Sequence, residues 1–195
     1  MKRLLLHTCC APCMLPSIEV LLGRSPWERV LEAPPEYEVS VWFYNPNITD
    51  PEEYLRRKAA LLVVMKERYP DIPLLDDESE KDREHWFLTA SLLKDEPERG
   101  KRCIFCYGYR LYRAFLKAKR EGMDAVATTL TLSPLKNTEA INRIGLLLER
   151  RFGISYVVSD FKKQNGMKRS KELCLQYGVY RQDYCGCEFS KRSKL

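Results

Sequence analysis

No apolar run in this sequence approaches the ~20 residues that a membrane-spanning helix needs. The first residues, Met1-Lys2-Arg3-Leu4-Leu5-Leu6-His7, begin like a secretion signal. Cys9-Cys10 and Pro12 follow after only three leucines, which leaves the apolar region too short. A cytoplasmic protein with no membrane partner is expected. Also missing are a Walker A motif and a G-x-G-x-x-G motif, the glycine-rich loops whose backbone N–H groups cradle phosphate. An ATP or NAD site is therefore not expected. At 195 residues there is room for one α/β domain and hardly for a second. A content of 45% hydrophobic and 31% charged residues excludes a disordered tail.

Acidic residues are missing from one long stretch. Residues 99–120 carry eight basic side chains (Arg99, Lys101, Arg102, Arg110, Arg113, Lys117, Lys119, Arg120) and no acid. The preceding residues 71–98 hold ten acidic against three basic, and residues 161–195 hold nine basic against three acidic. The net charge of +6 thus hides two basic blocks and one acidic block. Charge runs are commonly solvated helix faces. Here both basic blocks also carry cysteines, which points to a polyanion brought to a cysteine site.

The eight cysteines stand at positions 9, 10, 13, 103, 106, 174, 185 and 187. Structural disulfides do not suit a reducing compartment or a chain of this size. Cys9-Cys10-Ala11-Pro12-Cys13 packs three thiols into five residues, Cys103 and Cys106 form a C-x-x-C, and Cys185 and Cys187 a C-x-C. Clustered thiols in the cytosol bind metal or do redox chemistry. Cys174 lacks a near neighbour and reads as core.

Strands are expected at Arg3–His7, Tyr37–Tyr44, Ile72–Leu75, Ala125–Thr129 and Ile154–Val158. Helices are expected from Asp50-Pro51 to about Tyr69, over Asp82–Leu93, Cys103–Glu121, Thr138–Arg151 and Lys168–Tyr177. Their alternation predicts one α/β domain over 1–195, with a mostly parallel sheet and helices on both faces. A basic C-terminal segment, about 161–195, carries the C-x-C. In such sheets function gathers at the carboxyl ends of the strands, in loops expected at Thr8–Leu15, Asn45–Thr49, Leu130–Asn137 and Ser159–Gly166. The first of these loops holds thiols and no glycine where a nucleotide loop would stand.

Zinc would use four thiolates and leave the others surplus, and the side chains of adjacent Cys9 and Cys10 are expected to diverge, which suits it badly. A [4Fe–4S] cluster on Cys9, Cys10, Cys103 and Cys106 satisfies four-cysteine ligation, since its iron corners point in different directions. Cys103 and Cys106, three apart on a helix, share one face. Cys13, Cys185 and Cys187 then form a second group, for a lone metal ion or for a dithiol–disulfide couple.

Leu6-His7-Thr8-Cys9-Cys10-Ala11-Pro12-Cys13, Arg102-Cys103-Ile104-Phe105-Cys106-Tyr107 and the run from Tyr180 to Ser190 closely resemble the signatures of the QueH family of epoxyqueuosine reductases. The resemblance spans nearly the whole chain, including Tyr44-Asn45-Pro46-Asn47-Ile48 and Asp160-Phe161-Lys162-Lys163. It implies a Rossmann-like fold of the HUP, ATP-pyrophosphatase-like kind, with the nucleotide loop replaced by a cysteine loop. It also implies the last step of queuosine synthesis, in which an epoxide on a modified guanosine at the tRNA wobble position becomes an alkene. The family's cube matches Cys9, Cys10, Cys103 and Cys106. The cysteines matching Cys185 and Cys187 are a redox-active pair or ligands of a neighbouring iron.

Removing an epoxide oxygen takes two electrons and two protons and releases water. A cube passes electrons singly, so a second redox or Lewis-acid centre beside it is useful. An iron on Cys13, Cys185 and Cys187 could polarise the C–O bond. Asp160, after the last expected strand, and Asp183, near the C-x-C, are the candidate acids. Tyr107, Tyr109, Trp42, Tyr180 and Tyr184 are candidates to stack an unpaired base, and the basic blocks suit the phosphates of a tRNA partner. An external electron donor is required. Two readings from other classes stand beside this one: a zinc-stabilised RNA-binding module, and a metal-free thiol–disulfide oxidoreductase using Cys185 and Cys187.

Overall fold

The structure, a computed structural model, describes residues 1–24, 37–163 and 165–190. The end of the basic C-terminal segment, residues 191–195, lies outside the described residues, as does Gln164 of the expected loop 159–166. Strand β1 (Lys2–Thr8) is central because Leu4, Leu5 and Leu6 are wholly buried, as a strand covered on both faces requires. It pairs in parallel with β2 (Tyr37–Phe43) on one side and β4 (Ala125–Thr128) on the other. Two short strands, β3 (Leu74–Leu75) and β5 (Ser155–Tyr156), complete an all-parallel sheet of order β3-β2-β1-β4-β5. The order reverses between β1 and β4, which makes the gap between their carboxyl ends the switch point.

Parallel strands need crossovers, and their fixed hand sends those left and right of β1 to opposite faces. One layer is α1 (Ala11–Leu21), packed against α2 (Pro51–Arg68) and α6 (Gly166–Gln176). The other is α4 (Lys101–Arg120), lying on β1 and β4 and packed against α3 (Ser79–Ser91) and α5 (Thr138–Phe152). The architecture is Rossmann-like. Among the described residues no helix is long and apolar enough to cross a membrane.

Local chemistry accounts for the helix ends. The Asp50 carboxylate caps α2 by accepting from the amides of Glu52 (3.1 Å) and Glu53 (3.3 Å), with Pro51 at the first helical position. Asn137 caps α5 through the Ala140 amide, and Gly153, with φ of 68°, ends that helix.

Two expected loops fail in part: Thr8–Leu15 is not a loop throughout, because α1 begins at Ala11 and takes in Cys13, and Leu130–Asn137 begins inside a 3-10 turn, Thr129–Leu132. For α1, Pro16 argues against a helix in sequence, and nearly all-round burial leaves no amphipathic period. Pro16 has no N–H to offer the carbonyl four residues back. The Ser170 hydroxyl of α6 donates to that Pro12 oxygen instead, at 2.6 Å. Tertiary packing thus repairs what the sequence breaks.

Candidate metal centre

The thiols enter at the switch point. After β1 the backbone stays extended at Cys10 (φ −175°, ψ 163°), which is the N-cap of α1. The turn from strand into helix brings neighbouring side chains to one side, so Cys9 and Cys10 do not diverge: their Sγ atoms are 3.7 Å apart. Cys13, one helical turn on, joins them, and all three sulfurs lie within 4.8 Å of one another. Metal–sulfur bonds of ~2.3 Å in a tetrahedron separate sulfurs by ~3.8 Å, so this trio is spaced for a single ion.

Thr129, at the end of β4, holds Cys9 twice. Its hydroxyl oxygen accepts from the Cys9 amide (3.1 Å) and its proton points to Cys9 Sγ (3.3 Å). The Gln182 amide donates to Cys10 Sγ at 2.9 Å. Hydrogen bonds from the Cys10 and Cys13 thiols hold the Cys9 pKa well below the ordinary thiol value. Burial pushes Cys10 up to about 12, and Cys13, hydrogen-bonded to both neighbours, is raised as well.

The second thiol group comes from α4 and the C-terminal loop. The Arg99 amide, in a residue with φ of 70°, donates to Cys103 Sγ at 3.2 Å just before α4 starts. Cys106, one turn further, packs with Cys187 against Trp86. Burial raises Cys103, takes Cys106 to about 11 and Cys187 to about 12. Metal binding here therefore expels protons. The C-x-C is fixed by α2: Arg57 donates to the carbonyls of Cys185 and Tyr184, both at 3.1 Å, while Nε holds Glu53 at 2.6 Å. Gly186, at φ of +101°, leaves no room for a Cβ, which would lie 2.8 Å from Ile48.

A cavity of about 260 Å³ opens over Cys9, Cys13 and Cys185 and is bordered by Lys136, Arg181, Asp183 and Tyr184. A smaller one of about 20 Å³ is lined by Cys103, Cys106, Cys185 and Cys187 with Trp86, Tyr107 and Lys136. The structure thus brings Cys9, Cys10 and Cys13 together, gathers Cys103, Cys106, Cys185 and Cys187 round a second space, and places Cys185 on both cavities. Lys136 also borders both. Desolvation works against its charge, but the Coulombic interaction with the sulfurs of Cys185, Cys9 and Cys13 outweighs this and raises its pKa. All eight cysteines are free, and Cys174 is buried in the core and lines neither cavity.

Asp183 stands on the wall of the larger cavity. Asp160 instead organises a turn, accepting from the Lys162 amide (3.3 Å) and pairing with its ammonium (3.6 Å), and does not border either cavity. Of the five aromatic candidates for stacking, Tyr184 borders the larger cavity. Trp42 is buried and stacked on Tyr44 at 4.4 Å, and Tyr107 is buried, so neither can receive a base from solvent. Tyr109 meets His85, and Tyr180 donates to Glu53.

The basic block 99–120 is largely consumed inside the protein, by the acidic block before it. Glu78 pairs with Lys117 (3.0 Å), Arg120 (2.5 Å) and Arg113 (3.9 Å), and Asp82 with Arg113 (2.8 Å). Arg102 and Arg110 are buried, on backbone carbonyls and on Asn45. Arg181 and Lys136, which both line the larger cavity, form no ion pair with a described carboxylate.

Sequence reasoning missed Thr129, Gln182, Arg57 and Lys136. Arg57 carried a signal: it shares the buried face of α2 with Tyr54, Leu61 and Val64, where a charge needs a partner. The others follow from contacts across the switch point and have no local signature.

Sheet order and buried thiols at the switch point define a Rossmann-like α/β protein whose Cys9, Cys10 and Cys13 could hold a metal. The family model described as "Epoxyqueuosine reductase QueH" matches residues 4–193. A relative so named from Streptococcus pyogenes serotype M1 is 35% identical over 191 residues, covering 97% of this chain and 70% of its own. Those from Acinetobacter baylyi and Thermotoga maritima are 35% and 34% identical, each over 97% of this chain and over 81% and 91% of their own. The chain belongs to the QueH family, a family of oxidoreductases, and the resemblance read from its cysteine motifs holds.

Proposed function

We propose that this protein reduces epoxyqueuosine to queuosine in the wobble position of tRNA, in the cytoplasm, with electrons from an external donor. The observation that carries this reading is the convergence of six free thiols on two adjoining cavities at the switch point, with Cys10 beside Cys9 and Cys13. An all-thiolate donor set suits soft metal centres, and the family name supplies the substrate class. A bound iron–sulfur cluster with a neighbouring iron would supply electrons one at a time and a Lewis acid. The balance is one epoxide, two electrons and two protons to one alkene and one water.

The chain's own residues do the rest. Asp183 on the cavity wall is the group we assign to proton delivery, in preference to Asp160, which faces its own turn. Lys136 keeps a positive charge beside the sulfurs and the place where oxygen becomes anionic. Tyr184 offers a ring, and Arg181 a cation for phosphate, on the wall of the larger cavity.

The family resemblance divides the ligands into Cys9, Cys10, Cys103 and Cys106 for the cluster and Cys13, Cys185 and Cys187 for the iron. The close spacing of the trio favours a second division, with Cys9, Cys10 and Cys13 for one ion and Cys103, Cys106, Cys185 and Cys187 for the cluster. Anaerobically reconstituted protein, given tRNA that carries epoxyqueuosine, is expected to yield a nucleoside lighter by one oxygen. Zinc without iron or sulfide, or turnover in metal-free protein, refutes the reading. Cys103→Ser removes the cluster under both divisions. Cys9→Ser removes it only under the first, and Cys187→Ser only under the second.

A further inference from the structure

Two hydrogen-bond donors at the smaller thiol cavity have nothing to donate to. Trp86 is wholly buried, and its indole Nε1, which can only donate, has no acceptor among the described residues. Tyr107, next to Cys106 on α4, is 2% exposed; the Asn137 amide lies toward its oxygen, but its O–H has no acceptor among the described residues. Both side chains border the cavity of about 20 Å³ that Cys103, Cys106, Cys185 and Cys187 line. A buried donor left unmade costs about 1–3 kcal/mol, and two in one cavity are unusual in a native protein. Ring bulk alone does not call for them. Phe87, Phe105 and Phe189 supply bulk in the same apolar cluster without a polar atom.

We propose that the Trp86 N–H and the Tyr107 O–H donate hydrogen bonds to sulfur atoms of the iron–sulfur cluster held by Cys103 and Cys106, and thereby raise its reduction potential. This rests on the reading that a cluster binds here, and Cys103 and Cys106 are its ligands under both divisions. Reduction adds negative charge to the sulfurs, so a fixed donor stabilises the reduced state more than the oxidised one. Both groups act through the cluster as positioning residues, locked by burial before any metal arrives. A single water, for which a cavity of this size has room, is the competing occupant.

The test uses full-length protein reconstituted anaerobically, as wild type, Trp86→Phe and Tyr107→Phe. Tyr107→Phe keeps its ring and loses the hydroxyl, and Trp86→Phe loses the indole N–H together with part of the ring's bulk. Iron and sulfide content is expected to stay at the wild-type level. At fixed potential the reduced-to-oxidised ratio should fall about tenfold in each, which is ~59 mV for a one-electron couple. Trp42→Phe is the control, since the buried Trp42 N–H already donates to the Asp76 carbonyl at 2.9 Å, and its potential should not move. In the wild type, electron–nuclear double resonance should show exchangeable protons coupled to the cluster, one fewer in each variant. Full clusters with unmoved potentials overturn the proposal and leave the function standing. A wild-type protein that assembles no cluster overturns both. Should a variant fail to assemble, the wild-type spectrum decides, and absence of exchangeable couplings overturns the proposal.

Discussion

Replacing Arg57 by Ala removes one guanidinium and frees three acceptors. The Glu53 carboxylate loses its closest cation at 2.6 Å, and the carbonyls of Cys185 and Tyr184 each lose a donor at 3.1 Å. Arg57 and Glu53 are only 3% and 5% exposed, so water does not readily take the missing place. Breaking a buried ion pair costs about 3–5 kcal/mol. Glu53 keeps the Tyr180 hydroxyl at 2.8 Å and the exposed Arg56 at 3.9 Å, which puts the expected loss near the lower end. A loss of ~3 kcal/mol lowers Tm by roughly 10 °C in a chain of this size. Urea and thermal unfolding of metal-free protein measure it. The same change releases the C-x-C from α2, so reconstituted Arg57→Ala should shed the metal that depends on Cys185 more readily than the wild type. Arg57→Lys should recover part of the stability and little of the metal retention, because an ammonium cannot span both carbonyls and Glu53. Unfolding within 0.5 kcal/mol of wild type, or unaltered metal retention, refutes the clamp.

Thr129→Val deletes the hydroxyl that contacts Cys9 twice; metal affinity at the trio should fall roughly 10-fold, read by competition with a chelator, while the fold persists. Gly186→Ala forces a Cβ toward Ile48 at φ of +101° and should cost about 1–3 kcal/mol in urea unfolding. Burial works against charge on Glu78, yet hydrogen bonds from Arg120 and Lys117 hold its pKa below the ordinary 4.5. A carboxyl depressed in the folded state gives its stabilisation in full above the unfolded value and loses it as pH falls through the folded one. Glu78→Gln should therefore cost about 1 kcal/mol at pH 7. It should also flatten the loss of stability below pH 4.5, measured by unfolding at each pH.

The family was legible in the chain alone. Seven thiols in three motifs point to soft metal or redox work, because residue type and short spacing decide which atoms can ligate. The alternation of apolar strand runs with capped helices was legible too, since caps, prolines and periodicity act within a few residues. Helix α1 was not: its internal Pro16 and all-round burial conceal it, and the hydroxyl that repairs it comes from Ser170 on the neighbouring α6. The grouping of the thiols belongs to tertiary structure. Cys9 and Cys10 converge because the chain turns from strand to helix there, while Cys106 and Cys187 meet although 81 positions separate them in sequence. The charge blocks show the same limit. A run of cations reads as a nucleic-acid surface until the sheet's crossovers set Glu78 and Asp82 against it, because sequence records the sign of a charge and only packing assigns its partner.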